Sequence, residues 1–320
     1  MRILSGIQPT GDFHIGNYFG MMKQCIDIQD SGECFFLIVD YHALTTSPEP
    51  PLFREKILNS AIDFLACGID PEKSIFFRQS DILEIPELAW MLSCVTPVGL
   101  LERCHSYKDK IANGISPNCG LFYYPVLMSA DILLFKSEII PVGKDQKQHV
   151  EVARDIAIRF NNQYGNIFSL PEPRIIENVA TIVGTDGRKM SKSYGNTIPI
   201  FGDEKQVRKL FMKIVTDSKT PEDPKDPASC SIFALYKLFA SKKQVEEMAA
   251  RYRAGGLMYG TVKQELFEMY LAYFTPFYKK RKELAADRQY VENILQKGAE
   301  KASAIAKLTM KEVREKVGLG

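Results

Sequence analysis

Apolar and polar positions alternate along the first half of the chain in blocks that predict strand and helix by turns. Arg2-Ile3-Leu4-Ser5-Gly6-Ile7 is a short apolar run, broken by Gln8-Pro9-Thr10-Gly11, whose proline and glycine are strong local punctuators. From Ile15 onward Tyr18, Phe19, Met22, Cys25 and Ile26 recur at helical spacing. Cys34 to Asp40 is a continuous apolar run suited to a parallel strand buried on both faces, and Leu52 to Cys67 reads as a helix stopped at Gly68. Ser74-Ile75-Phe76-Phe77 predicts the next strand and Pro86 the opening of another helix. An apolar helix follows over Leu121 to Phe135, then a strand over Glu138 to Val142. His149 to Tyr164 is a helix with Val152, Ile156 and Phe160 on one side. Such alternation predicts an α/β fold, a doubly wound parallel sheet with its ligand at the carboxyl ends of the strands. His14, Asp40, His42 and Asp145 all fall just after predicted strands and can converge there.

Beyond residue 200 the pattern changes. Asp217 to Pro227, rich in Pro, Asp and Lys, reads as a linker-like loop, and Ile232 to Gly320 is helical almost throughout. The expected organisation is an α/β domain over 1–200, with a helical insertion around 80–135, and a C-terminal helical bundle over 201–320. Whether the last helix packs back on the first domain is left open by the pattern. No internal repeat is evident.

Composition adds limits. The chain has 320 residues, 45% of them hydrophobic and 25% charged, which is ordinary for a soluble globular protein with more than one domain. Its net charge of +2 is too small to predict nucleic-acid binding, so an RNA partner requires local clustering. Tyr278-Lys279-Lys280-Arg281-Lys282 is one cluster, followed by Lys297, Lys301, Lys307, Lys311, Arg314 and Lys316. Glu292, Glu300, Glu312 and Glu315 are interleaved, so a solvated helix face is the equal alternative. The seven cysteines show no compact metal spacing and read as reduced core thiols; no protein-held metal is expected. No apolar run approaches membrane-spanning length, and Met-Arg-Ile-Leu opens a strand rather than a signal peptide, so no membrane partner and a cytoplasmic location are expected.

Two stretches carry candidate chemistry. Pro9 to Asn17 is a turn feeding a helix start, with Gly11 and Gly16 permitting close approach of a ligand; phosphate binding and ordinary helix capping both fit. Lys189-Met190-Ser191-Lys192-Ser193 lies between the turn formers Thr185-Asp186-Gly187-Arg188 and Tyr194-Gly195-Asn196, which suggests a flexible loop. Its two ammonium groups and two hydroxyls can converge on a polyphosphate, while a plain solvated loop is the alternative.

In that order and at that distance the two stretches resemble the signature motifs of class I aminoacyl-tRNA synthetases. Three further stretches, Val39-Asp40-Tyr41-His42-Ala43-Leu44-Thr45, Tyr124-Pro125-Val126-Leu127-Met128-Ser129-Ala130-Asp131-Ile132-Leu133 and Pro141-Val142-Gly143-Lys144-Asp145-Gln146-Lys147-Gln148-His149, resemble the tryptophanyl-tRNA synthetases of bacterial type. The resemblance runs through the whole chain. It implies a Rossmann-like catalytic domain, a helical tRNA-anticodon-binding domain and a homodimer. It also implies ATP-dependent activation of L-tryptophan to tryptophanyl-adenylate, then transfer to the 3′ end of tRNA(Trp). A tyrosyl-type synthetase, a different α-phosphate nucleotidyltransferase and a non-catalytic paralogue that binds tRNA or amino acid are the alternatives.

Residue by residue, the resemblance implies an ATP site of Gln8, Pro9, Thr10, Gly16 and Asn17, with His14 by the phosphates. Asn17 replaces the last histidine of the more general signature. Gly143, Lys144 and Asp145 would meet the ribose; Lys144 stands where an acidic residue is usual, which puts its side-chain contact in doubt. Ile182 would offer backbone contacts to adenine. Lys189, Met190, Ser191, Lys192 and Ser193 would close over pyrophosphate, with Lys110 as a further phosphate contact and Mg²⁺ held mainly by the ATP phosphates. An attacking carboxylate needs no general base, which explains why cations, N–H donors and amides are expected rather than a triad. For tryptophan, a single indole N–H calls for one buried acceptor in an apolar wall, the part assigned to Asp131. Met128, Tyr124, Gln146, His42 and Val39 complete the implied pocket. Family members with an iron–sulfur cluster carry it in the C-terminal domain, where this chain has only Cys230, so none is expected. A pocket sized for the largest side chain needs no editing domain, and the spacing leaves no room for one.

Overall fold

The computed structural model describes every residue except 10, 47, 105–117, 144–145 and 176–181. Its contacts divide the chain into two units that are not consecutive in sequence. One comprises Met1–Gly11, Gln24–Ile176 and Leu284–Gly320; the other comprises Asp12–Lys23 and Glu177–Glu283. The expected 1–200 and 201–320 division differs from this at both ends, because the motif around His14 belongs with the later residues and the last helix with the early ones.

The first unit holds a sheet of β1 (Arg2–Ile7), β2 (Glu33–Ile38), β3 (Ser74–Arg78), β4 (Ile139–Val142) and β5 (Glu172–Ile175). Among the described residues the order is β3-β2-β1-β4-β5, with every neighbouring pair parallel. Helices run in chain order as α1 (Ile15–Asn17), a π-helical turn Tyr18–Met22, α2 (Lys23–Asp27), α3 (Asp40–Ala43), α4 (Pro50–Cys67), α5 (Glu84–Ser93), α6 (Val98–Glu102) and α7 (Cys119–Leu134). They continue as α8 (Lys147–Tyr164), α9 (Glu204–Met212), α10 (Ser231–Tyr236), α11 (Lys242–Ala254), α12 (Tyr259–Ala286) and α13 (Arg288–Val317). The doubly wound parallel sheet expected from the alternation is present, and its winding reverses between β1 and β4.

Sequence chemistry accounts for the element limits. β2 is buried from Cys34 to Ile38, as its unbroken apolar run requires. α4 begins on two prolines, whose missing N–H groups fall where a helix has no use for them, and stops at Gly68 with φ +119°. α5 starts two residues before Pro86, which still lies in the first turn. β5 escapes pattern reading: Glu172-Pro173-Arg174-Ile175 has no apolar run, and its proline is tolerated because the strand is at the sheet edge.

The open edge at β3 is covered by α13. Its buried stripe Val291, Leu295, Gly298, Ala302, Ala306, Met310 and Val313 packs within the first unit. A Cβ on Gly298 would lie 1.9 Å from the Phe76 carbonyl oxygen of β3, so helix and strand main chains touch directly. Four ion pairs flank this contact: Arg288 Nη1 to Glu55 at 2.8 Å, Arg78 Nη1 to Glu292 at 2.8 Å, Lys136 Nζ to Glu312 at 2.7 Å and Arg314 Nε to Glu87 at 2.7 Å. Exposed pairs of this kind are screened by solvent and stabilise little, so it is the apolar stripe that sets the helix position.

The second unit gathers aromatic rings. Tyr18 meets Phe274 at 5.2 Å and Phe19 meets Phe239 at 5.2 Å between centroids, both edge-to-face. Tyr270 donates its hydroxyl to the carbonyls of Pro199 and Ile200, each at 2.8 Å. The Asp217 to Pro227 segment is irregular, as expected, yet it has its own core. Buried Lys225 donates Nζ to the carbonyls of Thr220, Pro221 and Asp223 at 2.7, 3.1 and 3.0 Å.

The Gly298 contact yields a testable expectation. Alanine raises helix propensity by about 1 kcal/mol at an open site, whereas a Cβ forced onto backbone costs about 1–3 kcal/mol. Gly298→Ala should therefore lower the urea unfolding midpoint. Gly260→Ala, at a helical position with nothing within 4 Å of the added Cβ, should leave the midpoint unchanged or raise it. Equal midpoints for the two variants would contradict the close approach.

Candidate active site

All five strands point the same way, so residues following β1, β2, β3 and β4 share one edge of the first unit's sheet. A crevice at the winding reversal, between the ends of β1 and β4, is where such sheets bind ligands. Exposed Gln8 and buried Pro9 follow β1; exposed Gly143 follows β4 and accepts a hydrogen bond from Gln146 N at 3.0 Å. Thr10, Lys110, Lys144 and Asp145 lie outside the described residues.

Asp131 is 2% exposed in the apolar helix α7. A buried carboxylate must find donors, and two other elements meet α7 to supply them. His42 Nε2 lies 2.9 Å from Asp131 Oδ2. Gln79 donates Nε2 to Oδ1 at 2.7 Å and to Oδ2 at 3.0 Å. Tyr124, Met128 and Asp131 are spaced four and three apart, so they share one stripe of α7. Tyr124 bonds His149 Nε2 through its hydroxyl at 2.5 Å, and its ring stands 6.1 Å from that of His42. Val39 is the residue at which β2 turns into α3, and it is buried; Met128 and Gln146 are half-buried. The cluster thus offers one carboxylate, with hydrogen-bonding capacity left, beside aromatic and thioether surface.

Asp40, expected at the same strand ends, does a different job. Its carboxylate accepts from Tyr41 N and Ser80 N, each at 3.0 Å, and from the Ser80 hydroxyl, and burial raises its pKa. It ties the end of β2 to the end of β3.

The second unit carries the other two motifs. His14 Nδ1 accepts from Asn17 N at 3.3 Å, while Asn17 Oδ1 accepts from His14 N at 3.0 Å, a reciprocal cap at the start of α1. With Nδ1 an acceptor, the ring proton sits on Nε2. Burial, and secondarily the Lys192 charge, lower the His14 pKa to about 4, so the ring is a neutral donor at pH 7. Gly16 is required here: a Cβ would stand 2.9 Å from His14 Nδ1 and 3.4 Å from Met190 Cβ.

The lysine loop is held more tightly than its sequence suggests. Met190 is 4% exposed and donates its N–H to the half-buried Ile182 carbonyl at 2.8 Å, while Lys189 and Lys192 remain exposed on either side. Buried Asn196 accepts from Ser191 N at 2.8 Å and donates to Asp186 at 2.7 Å and to the Lys189 carbonyl at 3.0 Å. Its amide leaves no room for a side chain at Gly184, where a Cβ would lie 2.3 Å from Nδ2. Ser191 and Ser193 share a hydrogen bond of 2.8 Å. Two cations and two hydroxyls are therefore displayed by a buried methionine and a buried amide.

Gln79, His149 and Asn196 were not singled out by sequence reading. A glutamine just after a strand and an asparagine just after the loop are common residue types, and only their fully buried, saturated hydrogen bonding distinguishes them. The position of Gln79 at the carboxyl end of β3 was the one available signal.

The chain is similar to known proteins along its whole length. A family model described as tRNA synthetases class I (W and Y) matches residues 1–275. Proteins called tryptophan–tRNA ligase from Rhodopirellula baltica and Campylobacter jejuni are 52% and 53% identical to the chain, each over 100% of both sequences. A crystal structure of tryptophanyl-tRNA synthetase from Campylobacter jejuni, complexed with ADP and tryptophan, superposes with a TM-score of 0.94 at 53% identity over 100% of both chains. The corresponding enzyme of Mycoplasma pneumoniae, at 29% identity, gives 0.86 over 100% of this chain and 98% of its own. With full-length relatives above half identity and a fold to match, the chain belongs to the tryptophanyl branch of the class I tRNA synthetases.

Proposed function

We infer that the chain is a tryptophan–tRNA ligase: it joins L-tryptophan to AMP with release of pyrophosphate, then passes the tryptophanyl group to the terminal adenosine of tRNA(Trp). The observation that carries the choice of amino acid is Asp131, a buried acceptor on one stripe with Tyr124 and Met128. An indole N–H donated to Asp131 uses its remaining lone-pair capacity, and phenylalanine leaves that capacity unmet. His42 and Val39 line the same pocket in this reading, with Tyr124 and Gln146 toward the amino acid's polar end. The relatives named as tryptophan–tRNA ligases along their whole length support this over the tyrosyl and non-catalytic alternatives.

In the first step a tryptophan carboxylate oxygen attacks the α-phosphorus, the bond to the bridging oxygen breaks, and pyrophosphate leaves with its charge. In the second, a hydroxyl of the tRNA's terminal ribose attacks the activated carbonyl, its proton passes to a phosphate oxygen, and AMP leaves. ATP enters carrying Mg²⁺ on its phosphate oxygens. Gln8, Pro9 and Gly143 of the first unit are proposed as nucleotide contacts, and so, separately, are Gly16, Asn17 and Ile182 of the second; Thr10, Lys110, Lys144 and Asp145 are proposed as contacts from the sequence motifs alone. Neutral His14 offers Nε2–H to a phosphate oxygen, a donor that loses no proton at working pH. Lys189 and Lys192, with Ser191 and Ser193, stabilise the leaving pyrophosphate; Met190 acts as the loop's buried fastening.

The exposed Lys279, Lys280 and Lys282 of α12 are proposed as a tRNA contact of the second unit. Among the described residues no helix is long and apolar enough to cross a membrane, and the reading places the enzyme in the cytoplasm with its tRNA. A homodimer is also proposed. Trp90 is 71%, Leu83 76% and Val98 62% exposed, large apolar side chains of the first unit that a second copy would cover.

Three outcomes are expected. Labelled pyrophosphate should exchange into ATP when tryptophan is added and remain at background with tyrosine or phenylalanine; exchange with tyrosine alone would reverse the assignment. Lys192→Ala should slow adenylate formation by about 10²–10³-fold in single-turnover kinetics while tryptophan affinity changes less than about twofold. Equal losses in both would remove the leaving-group role. Light scattering should give the mass of two chains for the wild type and of one for Trp90→Glu, and a monomeric wild type at assay concentration would overturn the dimer.

A further inference from the structure

We propose that Gln79 is the positioning residue that makes Asp131 an acceptor for the indole N–H, and so sets the discrimination between an N–H-bearing side chain and an isostere without one. The proposal rests on the reading of Asp131 above.

Gln79 is 0% exposed and follows directly on β3. Its amide has a defined orientation, because Oε1 accepts from the backbone N–H of Tyr41 at 3.1 Å, a group that can only donate. The NH₂ end is thereby turned to Asp131, where it reaches both carboxylate oxygens. His42 supplies a second donor to Oδ2. Gln79 and His42 thus hold both oxygens of the Asp131 carboxyl group in place from two sides. A carboxylate has about four lone-pair sites, and the three bonds drawn from Gln79 and His42 leave capacity on Oδ1 for one more donor. The same two groups prevent the carboxylate from rotating away. Gln79 touches no substrate in this account; it acts through Asp131.

Removing the amide donor should therefore penalise only ligands that use Asp131. Pyrophosphate exchange is measured with tryptophan and with β-(3-benzothienyl)alanine, in which sulfur replaces the indole N–H. Wild-type enzyme should prefer tryptophan strongly in kcat/KM. In Gln79→Met, close in volume and length, kcat/KM for tryptophan should fall by about 10–100-fold through KM. The analogue should change less than threefold and KM for ATP should not move. Gln79→Glu, which keeps an acceptor for Tyr41 N–H but sets a second carboxyl against Asp131, should lose the preference as well, and provides the test should the methionine variant not fold. If the two substrates lose equally, or the preference survives in folded variants, Gln79 has only a structural role. If wild-type enzyme itself fails to distinguish the two substrates, it is the assignment of Asp131 to the indole that falls.

Discussion

A carboxyl group buried in an apolar helix must find hydrogen-bond partners, and Asp131 imposes that requirement on everything around it. Desolvation of an unpaired carboxylate costs several kcal/mol, far more than a single hydrogen bond returns. The donors come from the ends of β2 and β3, through His42 and Gln79, and those ends are themselves tied by Asp40 to Tyr41 and Ser80. Helix α7 and two strand ends are thus held to one arrangement by buried polar groups that satisfy one another. A single buried acidic residue is thus a constraint on the fold.

The second unit solves an opposite problem. Its lysines must remain hydrated and charged, yet be displayed in a defined place. Burial of Met190 between two exposed cations, and the three hydrogen bonds of Asn196, order the backbone without burying the charges. His14 is treated the other way, its charge suppressed by burial and by a neighbouring cation, and its tautomer chosen by Asn17. Preorganised donors of this kind act on developing charge without reorganising at the moment of reaction.

Legibility followed sequence range. The strands at Arg2, Cys34, Ser74 and Glu138, the long helices and the switch of pattern near residue 200 were readable because each depends on its own periodicity. The edge strand Glu172–Ile175 was not, since an edge needs neither an apolar run nor a full set of N–H donors. The last helix shows the same divide. Its amphipathic stripe was visible, but its partner was not: Gly298 against Phe76 is a contact over more than two hundred residues, and nothing local to the glycine announces it.

The order of amino acids by itself determined most of the elements, the two motifs rich in turn formers and polar groups, the acidic residue in an apolar helix and the family. Those are local facts, set by side-chain pattern and turn chemistry. Tertiary structure alone decided which residues satisfy Asp131, that Met190 and Asn196 order the lysine loop, that His14 is neutral, and that the terminal helix closes the sheet edge. Each of these depends on desolvation and on donors brought from distant positions, and a buried polar group names its partners only once the chain has folded around it.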